Sequence, residues 1–111
     1  MLSLFSGISA DIVALDRAGI CIRAYASSEI DEGALAVVKH SLNVRIPPLK
    51  HYELGDVLFL KDEYITELAA EMQLDLVIGG SPCQDLSRMG GENRRGLEGS
   101  RSCLFYEYVN M

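Results

Sequence analysis

Short apolar segments alternate along this chain with segments of helical spacing, and this alternation is the feature that most constrains its fold. The strand-like segments are residues 1–5, 20–27, 52–54 and 74–78. The helix-like segments begin at or near residues 9, 34, 62 and 102. Strands separated by helices predict right-handed crossovers and a parallel sheet. We therefore expect an α/β fold with helices flanking a parallel sheet.

Local signals place several element ends. Ser9 is a candidate N-cap for the first helix, and Gly19 is a natural C-terminal stop for it. The apolar stripe over residues 62–72 predicts an amphipathic helix. Residues 41–51 contain Pro47 and Pro48, which favour a loop over a helix interior.

Composition narrows the setting. The chain has 111 residues, of which 49% are hydrophobic and 23% charged, and no apolar run approaches the roughly 20 residues of a membrane span. The start, Met1 to Phe5, lacks the basic region and cleavage site of a secretory signal. We expect a protein that is not secreted and is not in a membrane, and that is cytoplasmic if bacterial or phage and nuclear if eukaryotic.

The charge pattern limits any contact with a polyanion to one segment. The formal net charge is −6, whereas phosphate contacts require clustered Lys and Arg. Four of the ten basic residues lie in one glycine-rich stretch, namely Arg88, Arg94, Arg95 and Arg101. These arginines either contact phosphates or belong to a solvated loop paired with neighbouring glutamates.

The three cysteines do not form a recognisable metal or disulfide pattern. Cys21, Cys83 and Cys103 are odd in number and lack C-x-x-C spacing, and the two histidines do not lie at metal-ligand intervals from them. We expect no metal site. Cys21 and Cys103 are predicted to be small buried apolar residues.

Ligands of parallel α/β sheets bind beyond the carboxyl ends of the strands. The residues there are Phe5-Ser6-Gly7, Glu29, Asp56 and Ser81-Pro82-Cys83. Taken alone, the Phe5-Ser6-Gly7 turn is as readily a tight corner as a ligand site, and Glu29 is as readily a solvated carboxylate as a ligand contact. Asp56 is more often a turn or cap residue than a functional one. The residue types leave these alternatives open.

Two motifs carry a resemblance to a known family. Gly79 to Ser87, which reads Gly-Gly-Ser-Pro-Cys-Gln-Asp-Leu-Ser, resembles the Pro-Cys catalytic loop of DNA cytosine-5 methyltransferases. Leu4 to Ile8 resembles the Phe-x-Gly motif by which that family binds S-adenosylmethionine. Asp85-Leu86-Ser87 and the stretch from Arg94 to Glu107 are most similar to the de novo type of these enzymes. The resemblance covers nearly the whole chain.

The resemblance implies a Rossmann-like, S-adenosylmethionine-dependent methyltransferase fold with strand order 3-2-1-4. It also implies cofactor contacts, with Glu29 on the ribose and Asp56 on the adenine amino group. The full set of cofactor positions is Phe5, Ser6, Gly7, Ile8, Glu29, Ile30, Asp56, Val57 and Leu104.

In this family the cysteine adds to carbon 6 of cytosine and thereby activates carbon 5 for methylation, which is covalent catalysis. The resemblance assigns that role to Cys83, with Pro82 fixing the backbone before it. The target base must leave the duplex to be reached. DNA is the implied partner, with Ser87 and the four arginines as its expected contacts.

The family's Glu-Asn-Val motif and target-recognition region have no counterpart here. We expect residues 1–111 to be the N-terminal part of a catalytic domain and to be inactive alone. An apolar edge strand at 74–78, or the face at 104–109, is expected to promote self-association. The alternatives are a non-catalytic S-adenosylmethionine- or nucleotide-binding regulatory module, and an unrelated α/β domain with coincidental motifs.

Overall fold

The computed structural model describes residues 1–87 and 95–110, and the chain divides into one unit at Met1–Gly79 and another at Gly80–Met111. The first unit contains β1 (Leu2–Leu4), α1 (Ala10–Arg17), β2 (Ala24–Ser28), α2 (Glu32–Asn43), β3 (Lys50–Glu53), α3 (Asp62–Met72) and β4 (Val77–Gly79), with a 3₁₀ turn at Val57–Phe59. The second contains 3₁₀ turns at Gly96–Glu98 and Ser102–Leu104, and α4 (Phe105–Asn110).

The first unit is built on a four-stranded sheet in the order β3-β2-β1-β4. Every neighbouring pair is parallel, and Leu2 of β1 lies opposite Ala26 of β2 and Val77 of β4. The α/β class and the strand order 3-2-1-4 are therefore confirmed. In such a sheet the carboxyl ends of the strands share one edge, which brings the turns after β1, β2 and β3 together.

Side chains alternate between the two faces of the sheet, and each face has its own core. Leu2, Leu4 and Ala26 are buried on one face. Helix α3 packs there, because Leu2 and Ala26 share a small cavity with its apolar stripe. The buried members of that stripe are Ile65, Leu68 and Met72. The predicted amphipathic helix is thus confirmed, with the predicted ends.

The opposite face is polar at its centre. Tyr25 is completely buried, its hydroxyl lies 2.7 Å from Ser9 Oγ, and its ring stacks on His51 at 5.3 Å between centroids. Burial raises the pKa of Tyr25 and lowers that of His51. Ser27 Oγ is hydrogen-bonded to His51 Nε2 at 2.8 Å. Each of these buried polar groups therefore has a partner, as a stable core requires.

Ser9 does not act as the side-chain cap that the sequence predicts. Helix α1 does begin after Ser9. The Ser9 hydroxyl, however, contacts Tyr25 and makes no capping hydrogen bond, and the φ of Ser9, 57°, is left-handed. The other end of α1 is as predicted. Gly19 has a φ of 74°, its N–H donates to Asp16 O, and the N–H of Ile20 donates to Leu15 O, which is the Schellman arrangement.

Several predicted boundaries were wrong, including that of the third strand, which begins at Lys50 and not at Tyr52. Strand β2 begins at Ala24 because β1 is three residues long and offers residues 20–23 no partner. Helix α2 continues to Asn43, so the loop begins later than position 41. Strand β4 begins at Val77 because the N–H of Leu74 still closes the end of α3 by donating to Ala69 O.

Among the described residues no helix is long and apolar enough to cross a membrane.

Candidate functional site

Three hydrogen bonds tie together the strand ends that the sequence singled out. The N–H of Ser6 donates to Ser28 O at 3.1 Å, which joins the turn after β1 to the end of β2. The N–H of Leu54 donates to Ser27 O at 2.8 Å, and Ser28 Oγ donates to Gly55 O at 2.7 Å. The turns after β1, β2 and β3 therefore form one continuous edge.

Glu29 is the most strongly held side chain of this edge. Its Oε2 accepts the N–H of Gly7 at 2.7 Å, and its Oε1 accepts those of Ile30 and Asp31 at 2.8 and 2.9 Å. A carboxylate offers about four acceptor positions, so these donors leave about one for a ligand. Glu29 is half-buried. A fixed carboxylate with one free acceptor position suits a hydroxyl of a sugar.

The turn after β1 combines backbone strain with an unsatisfied hydroxyl. Phe5 has a φ of 56°, which is uncommon outside glycine, and Gly7 has a φ of 52°. Ser6 Oγ is buried and has no hydrogen-bond partner among the described residues. Strained residues and unpaired buried polar atoms are both concentrated at ligand sites. The turn therefore has the properties of a binding turn.

Ile8 differs in its surroundings from the rest of the turn. Its side chain is 59% exposed and lines a groove of about 200 Å³ with residues of α1 and α2. Its contact with the cofactor stays a prediction.

The turn after β3 uses Asp56 as a cap. Asp56 Oδ1 accepts the N–H of Leu58 at 3.0 Å, which begins the 3₁₀ turn, so the structural role left open by the sequence is real. The other oxygen is the one that could accept an adenine amino group. Val57 is 4% exposed and packs in the core, whereas Ile30 is 68% exposed at the rim of the edge.

Cys83 lies in the second unit and is exposed. Its carbonyl oxygen accepts the N–H groups of Leu86 and Ser87, both at 2.9 Å, so the residues after the thiol form a closed turn. Pro82, immediately before it, is half-buried. The thiol is therefore free and accessible on an ordered turn, as a nucleophile requires.

The other two cysteines differ from the prediction. Cys21 is exposed, because it lies in the segment before β2 that forms no strand, so its prediction as a buried residue was wrong. Cys103 is half-buried and its Sγ lies 3.4 Å from Ser100 O. Neither is in a turn like that of Cys83.

Sequence reasoning missed a pair of side chains in the second unit. Asp85 Oδ2 accepts the N–H groups of Arg101 and Ser102 at 3.1 and 3.0 Å. The N–H of Asp85 donates to Ser102 Oγ at 3.2 Å. The backbone hydrogen bond from Ser102 is the main cause that holds the pKa of Asp85 below its usual range. The residues are 17 positions apart, and nothing in the local sequence pattern indicates that they meet.

The expected DNA contacts are only partly described. Arg95 and Arg101 are exposed and Ser87 is half-buried, while Arg88 and Arg94 lie outside the described residues. Leu104, an expected cofactor residue, is half-buried in the second unit. Within residues 1–87 and 95–110 no group of three His, Cys, Asp or Glu side chains could hold a metal ion.

Comparison with known proteins places these features in one family. The family described as C-5 cytosine-specific DNA methylase matches residues 1–111. The chain is 39% identical over 112 residues to "DNA (cytosine-5)-methyltransferase DRM1A" of Oryza sativa subsp. japonica, covering 100% of this chain and 24% of that protein. It is 37% identical over 112 residues to "DNA (cytosine-5)-methyltransferase DRM2" of Arabidopsis thaliana, covering 100% of this chain and 18% of that protein.

A phage protein is similar as well. The chain is 36% identical over 109 residues to "Orphan methyltransferase M.SPRI" of Bacillus phage SPR, covering 98% of this chain and 22% of that protein. The chain thus spans between 18% and 24% of the length of these three relatives. The match of the family over all 111 residues excludes an unrelated α/β domain with coincidental motifs. The chain therefore belongs to the C-5 cytosine-specific DNA methylase family.

Proposed function

We propose that this chain is the N-terminal portion of the catalytic domain of a DNA (cytosine-5-)-methyltransferase that transfers a methyl group from S-adenosylmethionine to carbon 5 of cytosine. The observation that carries the proposal is the exposed thiol of Cys83 on a closed Pro-Cys turn, in a chain that matches the family throughout. As the chain is a fraction of its relatives' length, residues 1–111 alone are expected to be inactive.

The reaction requires a nucleophile because carbon 5 of cytosine is too weakly nucleophilic to attack a methyl group. The Cys83 thiolate forms a bond to carbon 6 and pushes an electron pair onto carbon 5. Carbon 5 then takes the methyl group, whose bond to sulfur breaks to leave S-adenosylhomocysteine. Loss of the carbon 5 proton to a base returns the electron pair and breaks the bond between carbon 6 and Cys83.

The edge of the first unit is the proposed binding site of the methyl donor. S-adenosylmethionine supplies an electrophilic methyl group on a sulfonium. Glu29, held by three backbone N–H groups, would accept a ribose hydroxyl at its remaining acceptor position, and Asp56 Oδ2 would accept the adenine amino group. The strained turn from Phe5 to Gly7, with its unpaired Ser6 hydroxyl, would contact the methionine part. Ile8, Ile30, Val57 and Leu104 complete the proposed set.

The alternative, a non-catalytic S-adenosylmethionine- or nucleotide-binding regulatory module, is not favoured. Such a module has no use for an accessible thiol, whereas Cys83 is exposed and its turn is intact. The relatives described above are also named as methyltransferases. A protein that acts on DNA is expected in the nucleus of a eukaryote or in the cytoplasm of a bacterium or phage host.

Trapping of the covalent adduct tests the proposal. The full-length protein incubated with S-adenosylmethionine and DNA containing 5-fluorocytosine should form a stable adduct, because fluorine cannot leave carbon 5 as a proton does. Peptide mapping by mass spectrometry should place the adduct on Cys83. Cys21 and Cys103 serve as internal controls, since Cys21 is also exposed but has no Pro-Cys turn. An adduct on another cysteine, or none at all, would contradict the proposal.

The basic segment is the proposed contact with the DNA backbone. Arg95 and Arg101 are exposed, and Ser87, Arg88 and Arg94 complete the proposed set. Each phosphate neutralised by an arginine makes the negative slope of log K against log salt concentration steeper by about 0.9. Substitution of Arg94 and Arg95 by Gln in the full-length protein should therefore make that slope shallower by up to about 1.8. Fluorescence anisotropy with a labelled duplex measures it, and an unchanged slope would remove these residues from the interface.

Self-association is a further proposal for this chain. Strand β4 is an edge of the sheet in the first unit. Val77 at its start is 43% exposed, and Leu76 just before it is 39% exposed. Val109 of α4 is 58% exposed in the second unit. An apolar edge strand with unpaired backbone groups favours pairing with another chain.

A further inference from the structure

Four contacts converge on Asp85 from one short segment of the chain. Its carboxylate accepts the backbone N–H groups of Arg101 and Ser102, and its own N–H donates to Ser102 Oγ. Its carbonyl oxygen accepts the N–H of Gly96 at 3.2 Å. Asp85 thus uses its N–H, its C=O and its side chain to join the Cys83 turn to residues 96–102.

The packing around this contact leaves little freedom. Ser102 is completely buried, so water does not reach its hydroxyl. Loss of that hydroxyl would leave the N–H of Asp85 without its hydrogen-bond partner. Gly99 is buried as well, and a Cβ on it would lie 2.2 Å from Asp85 Cγ. Such a distance is far below van der Waals contact, so only glycine permits the close approach.

The contact is directly connected to the backbone of the nucleophile. Cys83 O accepts the N–H groups of Leu86 and Ser87, so Asp85 lies inside the turn that Cys83 begins. Movement of Asp85 therefore moves the turn, and with it the Cα of Cys83. A displacement of about 1 Å between reacting groups can cost about a hundredfold in rate.

We propose that Asp85 and Ser102 are positioning residues that hold the Cys83 thiol in place for attack on carbon 6 of cytosine, an inference that rests on the proposed function of Cys83. Neither side chain needs to touch the base or the methyl donor. Their contribution is to join the turn to the start of the segment that leads into α4.

The charge of Asp85 suits this role. Its pKa is held below the usual range, chiefly by the backbone hydrogen bond from Ser102, so the carboxylate is ionised at neutral pH. An ionised acceptor makes stronger hydrogen bonds to backbone N–H groups than a neutral one. Since the pKa is lowered on folding, the stabilisation is present above the pKa of the unfolded state and is lost as the pH falls through the folded value.

Substitutions in the full-length protein separate a misplaced thiol from an unreactive one. Asp85→Ala should slow formation of the 5-fluorocytosine adduct by about a hundredfold. Ser102→Ala, which removes one hydrogen bond, should slow it by about threefold to tenfold. Asp85→Asn keeps an acceptor oxygen and should fall between them. The rate of Cys83 alkylation by iodoacetamide should change less than about threefold, because the thiol is already exposed.

Ser100→Ala is the matched control, because it changes an exposed serine two positions from Ser102 and should leave both rates unaltered. Amide hydrogen exchange at Leu86 and Ser87 provides a readout that does not depend on methyl transfer, and Asp85→Ala should accelerate it about threefold or more. Failure of the wild type to form an adduct would refute the function of Cys83. The hydrogen-exchange rates would then still test whether Asp85 and Ser102 hold the turn.

Adduct formation and exchange at wild-type rates in Asp85→Asn and Ser102→Ala would overturn the inference while the proposed function stood. These milder substitutions keep that outcome accessible even if Asp85→Ala fails to fold. A second result would also overturn it. If all variants lost adduct formation and thermal stability together, and Cys103 became alkylated, the substitutions would be unfolding the protein in general.

Discussion

Replacement of Cys83 by serine in the full-length protein is expected to lower kcat for methyl transfer by a factor of about 10⁴ or more. A thiol has a few per cent of thiolate at neutral pH and is intrinsically a strong nucleophile, whereas a serine hydroxyl without an adjacent base is almost entirely protonated. Without attack on carbon 6, carbon 5 has no electron pair to offer the methyl group. Transfer of a tritiated methyl group to DNA measures the loss.

Binding of the methyl donor should survive the same substitution. Eight of the nine proposed donor contacts, Glu29 and Asp56 among them, belong to the first unit, whereas Cys83 and the remaining contact, Leu104, belong to the second. The Kd for S-adenosylmethionine is therefore expected to stay within about twofold of the wild type. This combination of lost turnover with retained binding distinguishes removal of a nucleophile from damage to the fold.

The other cysteines provide matched controls for the chemistry of the change. Cys21→Ser alters an exposed residue, and such surface changes usually alter the free energy of unfolding by less than about 0.5 kcal/mol. Turnover by Cys21→Ser should equal that of the wild type. Substantial turnover by Cys83→Ser, or an equal loss in Cys21→Ser, would remove Cys83 from the reaction.

Sequence patterns predicted those elements whose local signals agree with their packing. The apolar stripe of residues 62–72 gave the bounds of α3 because the same residues that repeat every three or four positions are the ones buried against the sheet. Gly19 located the end of α1 because its left-handed φ closes the last turn. The strand order, by contrast, came from the resemblance, since the local pattern of a strand does not specify its neighbours.

The differences between prediction and structure arise where tertiary contacts, and not local sequence patterns, determine the conformation of a residue. Ser9 is of a residue type that favours N-caps, but its side chain is hydrogen-bonded to the buried hydroxyl of Tyr25 instead. Residues 20–23 have the apolar character of a strand, but the short β1 offers them no ladder. The contact between Asp85 and Ser102 depends on two segments folding back on each other, which no period in the sequence reports.

The candidate site was predicted as a set of positions, and the structure adds how they are held. Three turns at one edge follow from a parallel sheet, so the sequence could place Glu29 beside the turn of Gly7. It could not show that Glu29 spends three acceptor positions on backbone N–H groups. That distinction matters, because a carboxylate that organises its own surroundings affects binding both directly and through the turns it holds.

Replacement of Glu29 by alanine in the full-length protein is expected to weaken binding of S-adenosylmethionine by about tenfold to a hundredfold, the loss that follows removal of a charged hydrogen-bond partner. Alanine removes the proposed ribose contact and also frees the N–H of Gly7 at the start of the binding turn. Isothermal titration calorimetry measures the Kd.

Glutamine at the same position separates the two contributions. Its single acceptor oxygen can replace Oε1 and keep the N–H groups of Ile30 and Asp31, but its NH₂ would then face the N–H of Gly7, which lies 2.7 Å from Oε2. Two donors at that distance repel, so Glu29→Gln should bind more weakly than the wild type but more tightly than Glu29→Ala. The link to Gly7 is thus tested apart from the link to Ile30 and Asp31.

Glu32→Ala is the matched control, since Glu32 is an exposed glutamate in the first turn of α2, three residues from Glu29. Its Kd should equal that of the wild type. A Kd for Glu29→Ala within about twofold of the wild type, in a protein that unfolds cooperatively, would show that this carboxylate does not bind the methyl donor. In that case Glu29 would act only as a support for the turns after β1 and β2, since its three hydrogen bonds to backbone N–H groups need no ligand to be useful.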